Sequence, residues 1–249
     1  MRAALICNRV SGELEKDLAH MEELARRAAR QGAELMLFPE AAATGLRNND
    51  DPAHDLPLGT AIPGPITARL AGLARETNAY VASGILEREG NCLYDSAVLV
   101  RPDGELALRY RRISPKWHGR KADGAVYREG GDISFASTPY GRLVILICGD
   151  LFDDEVIERT RRLRPDYLLV PFARSFDDGS FDQRRWDEEE SKYVARAAKA
   201  GSTTLMVNLL EDRGISEWPC FGGALAASMD GKILFRLPLG QSGVLLAEV

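Results

Sequence analysis

Hydrophobic positions fall into short apolar runs and helical stripes that alternate along the chain. Ala3–Cys7 is a compact apolar run. From about Glu13 to Gln31, residues Leu14, Leu18, Met21, Ala25 and Ala28 recur at helical spacing, with Gly32 placed to stop the helix. Glu34–Phe38 reads as a second strand closed by Pro39, and a loop rich in Asn, Asp and Gly follows. Gly64-Pro65 opens a helix running to about Thr77, with proline in its first turn. Three strands come next, Tyr80–Leu86, Tyr94–Val100 and Glu105–Arg111, with turns at Asn91 and at Pro102-Asp103-Gly104. Leu143–Cys148 is nearly all apolar, which suits burial on both faces. Helices at about Asp154–Leu163 and Arg184–Ala200 alternate with strands Tyr167–Val170 and Thr203–Val207. Short strands around Ala224–Ser228, Ile233–Arg236 and Val244–Glu248 close the chain. Mixed βα units and meanders, without a linker or an internal repeat, predict one α/β domain over residues 1–249.

Composition narrows the chemistry. With 45% hydrophobic residues the chain can bury a sizeable core, and a net charge of −5 argues against nucleic acid or an anionic membrane surface as partner. No apolar run approaches the ~18 residues of a membrane span. The first apolar stretch, Ala3–Cys7, is too short for a signal-peptide core, so a soluble cytoplasmic protein is expected. Histidines number three (His20, His54, His118), and the four cysteines (Cys7, Cys92, Cys148, Cys220) include no C-x-x-C pair. Zinc fingers and H-E-x-x-H metal sites are excluded by that inventory. A nucleophilic mechanism here calls for a general base other than histidine.

Three places could carry such a mechanism. Cys148 ends the most apolar strand, in Ile147-Cys148-Gly149-Asp150, ahead of a helix. A strand-to-helix turn exposes a thiol to backbone N–H groups that favour the thiolate, although a free cysteine also packs well as a small hydrophobe. Glu40 stands just beyond a buried strand, where open α/β sheets build their sites and where partial desolvation raises a carboxyl pKa. Arg109-Tyr110-Arg111-Arg112-Ile113-Ser114-Pro115-Lys116 supplies cations at a strand end, able to hold an oxyanion or simply to solvate an edge.

Glutamate, cation and cysteine in this order resemble the Glu-Lys-Cys triad of the nitrilase (carbon–nitrogen hydrolase) superfamily. The likeness runs along nearly the whole chain. Phe38-Pro39-Glu40 with Thr44-Gly45, then Gly84-Ile85-Leu86-Glu87-Arg88, Leu93-Tyr94-Asp95-Ser96-Ala97 and Pro102-Asp103-Gly104 are similar to its first half. Tyr110-Arg111-Arg112, Ile147-Cys148-Gly149-Asp150, Arg164-Pro165-Asp166, Val170-Pro171, Ala195-Arg196-Ala197, Val207-Asn208 and Asp230-Gly231-Lys232-Ile233-Leu234 continue it. Each motif is weak alone; the order and spacing are specific.

The resemblance implies a four-layer α-β-β-α sandwich, paired into homodimers, that hydrolyses a non-peptide carbon–nitrogen bond. Glu40 would be the base and Cys148 the nucleophile, with Gly149 N–H at the oxyanion and neither metal nor organic cofactor. The chain departs from the pattern in two places. Tyr110-Arg111-Arg112 stands where the family has Tyr-Arg-Lys, so the catalytic cation is expected to be Lys116, four residues on, with Arg112 the alternative. Along a continued strand 112 and 116 would face the same way, and an arginine could hold an oxyanion but not shuttle a proton. The family's second glutamate falls here at Gly124, beside Asp123, so Asp123 or Glu129 is expected to replace it and His118 to line the pocket. Gly149-Asp150 after the cysteine, in place of the Trp-Glu of true nitrilases, favours a small, linear amide or an N-carbamoyl compound. A nitrile, or a ligand-binding member without turnover, is the alternative. The acyl pocket is expected in the loops Arg47–Leu58 and Trp117–Tyr127.

Overall fold

The computed structural model describes residues 1–249. Two six-stranded sheets lie face to face between two helical layers. The first runs, in spatial order, Gly243–Glu248, Arg2–Cys7, Leu35–Leu37, Tyr80–Glu89, Cys92–Val100, Leu106–Arg111. The second runs Ile233–Leu237, Ala224–Ala227, Thr203–Asn208, Tyr167–Phe172, Gly141–Ile145, Phe135–Thr138. Central strands pair in parallel in both sheets, and the flanking pairs are antiparallel. This is the expected α-β-β-α sandwich.

Strand alternation sorts the apolar residues of the first sheet into two layers. Ala3, Leu5, Leu35, Leu37, Ala82 and Leu99 join one large core cluster with both faces of the second sheet, Leu169 and Leu205 on one face and Val144 and Leu225 on the other. Ala4, Ile6, Met36, Val81, Val98 and Val100 face the other way, onto helices Leu14–Arg30 and Pro65–Thr77. Helices Asp154–Arg162 and Gln183–Ala200 cover the second sheet through Val156, Ile157, Trp186 and Val194. Because both sheets are covered twice, their strands read as continuous apolar runs. Asp153 and Asp182 cap those two helices by accepting two backbone N–H groups each.

The structure departs from the sequence expectation at the cysteine strand and at one sheet edge, besides shifts of two or three residues at other strand ends. The strand expected to reach Cys148 stops at Ile145, and Cys148–Phe152 forms a short 3-10 turn. The Ile147 N–H leaves the ladder because it donates to Asp150 Oδ2 at 3.1 Å. An edge strand that alternation did not reveal, Phe135–Thr138, pairs with Gly141–Ile145. No helix is long and apolar enough to cross a membrane.

Candidate active site

Glu40, Arg112 and Cys148 all sit just past the carboxyl ends of strands, on loops held by backbone contacts. The Glu40 loop lies directly on strand Tyr80–Glu89. Gly84 N–H donates to Pro39 O at 3.0 Å and Gly84 O accepts from Ala42 N–H at 3.2 Å. A Cβ on Gly84 would stand 2.4 Å from Glu40 Cα, so only glycine lets this loop seat. Cys148 occupies a left-handed backbone (φ 45°), a strained geometry for a non-glycine residue at a strand-to-helix turn.

Asp150 joins that turn to the cation loop. Fully buried, it accepts four hydrogen bonds: Ile113 N–H (3.1 Å) and Ser114 N–H (2.6 Å) at Oδ1, Ile147 N–H (3.1 Å) and Tyr110 Oη–H (2.7 Å) at Oδ2. Burial and the Asp150 charge push the Tyr110 phenol well above its ordinary range, so it stays a donor.

Arg112 is buried and reaches inward. Its Nη1 donates to Glu40 Oε1 and to Asp95 Oδ2, each at 3.2 Å, its Nε to Ser114 Oγ at 3.0 Å, and its Nη2 to Pro115 O at 3.4 Å. A Cβ on Gly149 would meet Arg112 Nη2 at 2.5 Å and Ser114 Oγ at 2.8 Å, so the guanidinium lies against the residue that follows the cysteine. Burial works against its charge, but Cys148, Glu40, Asp95 and Asp150 overcome that and hold it protonated. Glu40 is completely buried, with Oε2 unpartnered. Burial first, then the charges of Asp95 and Cys148, raise its pKa well above the usual carboxylate range against the opposing pull of Arg112. Tyr193, of the aromatic group formed with Phe152, Phe172 and Trp186, lies close enough to Cys148 to feel its charge.

Arg112 therefore meets Glu40, and Lys116 does not. The strand ends at Arg111, and Lys116 adopts φ 81° and points outward, so positions 112 and 116 share no strand face. Lys116 lies on the rim of a cleft of about 440 Å³ that Arg112, Ser114, Gly149 and Phe152 also line. Asp123 is exposed and caps its own turn through Ala125 N–H at 2.8 Å, away from the triad. His118 Nε2 pairs with Glu129 Oε1 at 2.9 Å, so neither of these reaches Glu40 or Arg112. The two expected pocket loops meet each other: Tyr127 Oη–H donates to buried Asp55 at 2.6 Å, and Asn48 Nδ2 to Trp117 O at 3.0 Å.

Motif reading included Asp95 and Asp150 but gave neither a role in holding the site together. Asp95 had a signal, being the one charged residue in the strand run Leu93–Val100.

Residues 2–249 match the family described as carbon-nitrogen hydrolase. The chain belongs to the carbon–nitrogen hydrolase family. Among its relatives is a nitrilase of Pyrococcus abyssi, 32% identical over 248 residues, covering 95% of this chain and 84% of the relative. Omega-amidase NIT2 of Bos taurus is 28% identical over 211 residues, covering 80% and 74%. The fold superposes on the amidase from Nesterenkonia sp. with a TM-score of 0.82 at 22% identity, covering 100% of this chain and 90% of that one. A carbon–nitrogen hydrolase from Helicobacter pylori G27 gives a TM-score of 0.84 at 17% identity, covering 99% and 88%. Family membership makes this chain a carbon–nitrogen hydrolase, and its relatives include both nitrilases and amidases.

Proposed function

We propose that this hydrolase cleaves a small amide or N-carbamoyl compound through a thioester on Cys148, with Glu40 as base and Arg112 as the cation. The observation that carries the reading is the buried Arg112 side chain, bonded to Glu40 and lying against Gly149. Glu40 takes the thiol proton as Sγ attacks the carbonyl carbon, and the carbonyl oxygen becomes an oxyanion held by the guanidinium and the Gly149 N–H. Collapse of the tetrahedral intermediate expels the amine, which leaves with the proton from Glu40. Water then gives a proton to Glu40 and attacks the thioester. The second collapse releases the acid and returns that proton to the thiolate.

The choice of cation bears on the substrate. An amide develops negative charge on oxygen, which a permanently charged guanidinium stabilises without transferring a proton. A nitrile develops its charge on nitrogen, which must be protonated; arginine cannot supply that proton, so it would have to come from Glu40 alone. The raised Glu40 pKa has a sign: activity requires the carboxylate, so kcat/KM falls as pH drops through that raised value.

The test is ammonia or amine release from a panel of small amides, N-carbamoyl compounds and nitriles. Amides or carbamoyl compounds are expected to turn over and nitriles not to. Cys148→Ala is expected to lose about 10⁴-fold or more of kcat. Turnover that survives in this variant removes the nucleophile assignment, and nitrile turnover faster than amide turnover removes the substrate class.

A further inference from the structure

Arg112 Nη1 is the one hydrogen-bond donor to the carboxyl group of either Glu40 or Asp95, at 3.2 Å to each. That is longer than the ~2.7–2.9 Å of a single charge-assisted bond. Both carboxyls are buried, and their remaining oxygens, Glu40 Oε2 and Asp95 Oδ1, have no partner. Strand pairing builds this arrangement. Ser96 stands opposite Arg111, and the next rung is closed by Arg112 N–H donating to Asp95 O at 2.8 Å, so Asp95 and Arg112 are cross-strand neighbours. One cation thus sits between two desolvated carboxyls. With both ionised, the cluster would carry an uncompensated buried charge; one proton shared between them cancels it.

We infer that Asp95 is a positioning residue which, through the shared Arg112 guanidinium, keeps a proton on the Glu40–Asp95 pair and so sets the pH at which Glu40 can activate Cys148. This rests on the proposed roles of Glu40 and Cys148. The two carboxyls are close enough to hydrogen-bond when one is protonated, and burial raises both above their ordinary range. The other charged or titratable groups around them are Cys148 and Asp150 on the nucleophile turn, Tyr110 at the end of the neighbouring strand, Tyr193 on helix Gln183–Ala200 and Cys220 beyond strand Leu210–Glu211. Tyr110, Tyr193 and Cys220 are pushed up and neutral, which leaves Asp95 as the group whose removal most changes the charge facing Glu40.

The test is the pH dependence of Cys148 alkylation by iodoacetamide, followed by mass spectrometry of the Cys148 peptide, in wild type and Asp95→Asn. This readout needs no substrate, so it stands even if the amide reading fails; ammonia release judges that reading separately. Asparagine preserves shape and removes one negative charge, so Glu40 more easily gives up the proton that the pair retains. The acid limb should move down by about one pH unit, making the variant about tenfold more reactive at a pH on that limb. An unmoved limb, or one moved upward, overturns the inference. A second measurement avoids any folding defect in Asp95→Asn. Wild type at neutral pH should show infrared absorption of a protonated carboxyl that Glu40→Gln lacks, and identical spectra would equally overturn it.

Discussion

Asp150 and Glu40 are both fully buried carboxyls in one site, yet their surroundings are opposite. Asp150 accepts from four donors spread over three segments, while Glu40 has half of one N–H and an unpartnered oxygen. A buried carboxylate with every lone pair occupied is a structural rivet; one left short of donors keeps its proton and remains able to exchange it. The molecule separates holding from reacting by the number of donors it gives each group. Asp150→Ala should break the rivet and show the largest effect on stability. It strands two N–H groups of the cation loop, one of the nucleophile turn and a phenol, costing about 4 kcal/mol, read from the urea midpoint. A loss below about 1 kcal/mol would mean that the two carboxyls are not so different.

Gly149→Ala sharpens the comparison on its reactive side. The added methyl would meet Arg112 Nη2 at 2.5 Å, and that guanidinium has its Nε, Nη1 and Nη2 all engaged. Overpacking should cost about 1–2 kcal/mol of stability. Activity should fall more, by about 100-fold in kcat/KM, because the cation is displaced from the reacting atoms. Kinetics with a thermal melt on the same sample separates the two, and near wild-type turnover would show that the guanidinium need not lie against residue 149.

Much of this is legible in the sequence. Two-faced burial explains why the central strands read as solid apolar runs, and the position of Glu40 past such a strand followed from Phe38-Pro39-Glu40. The end of the cysteine strand was not legible, because a side chain three residues ahead, Asp150, withdraws Ile147 N–H from the ladder. The cross-strand pair of Asp95 and Arg112 was within reach, since a hairpin turning at Pro102-Asp103-Gly104 brings 95 near 112. A register shift between Leu99 and Val100 decides the matter, and one residue of slip would have turned the face over. The outward turn of Lys116 depends on one positive φ that no alternation pattern encodes.

Lys116 provides the smallest expected effect. Its ammonium makes no ion pair within the chain, whereas Arg112 makes two to buried carboxylates, so the two cations divide as the two carboxyls do, one toward solvent and one into the site. Lys116→Ala should change stability by no more than about 0.5 kcal/mol, as exposed substitutions do. Its place on the cleft rim allows a rise in KM, but kcat should stay within about threefold and the acid limb should not move, because the charges facing Glu40 are unchanged. A kcat loss near that of a missing oxyanion donor, about 100-fold or more, would transfer the cation role from Arg112 to Lys116. It would require the loop Ser114–Trp117 to fold inward on substrate, leaving Arg112 as the fastener of Glu40 and Asp95 rather than a participant in the reaction.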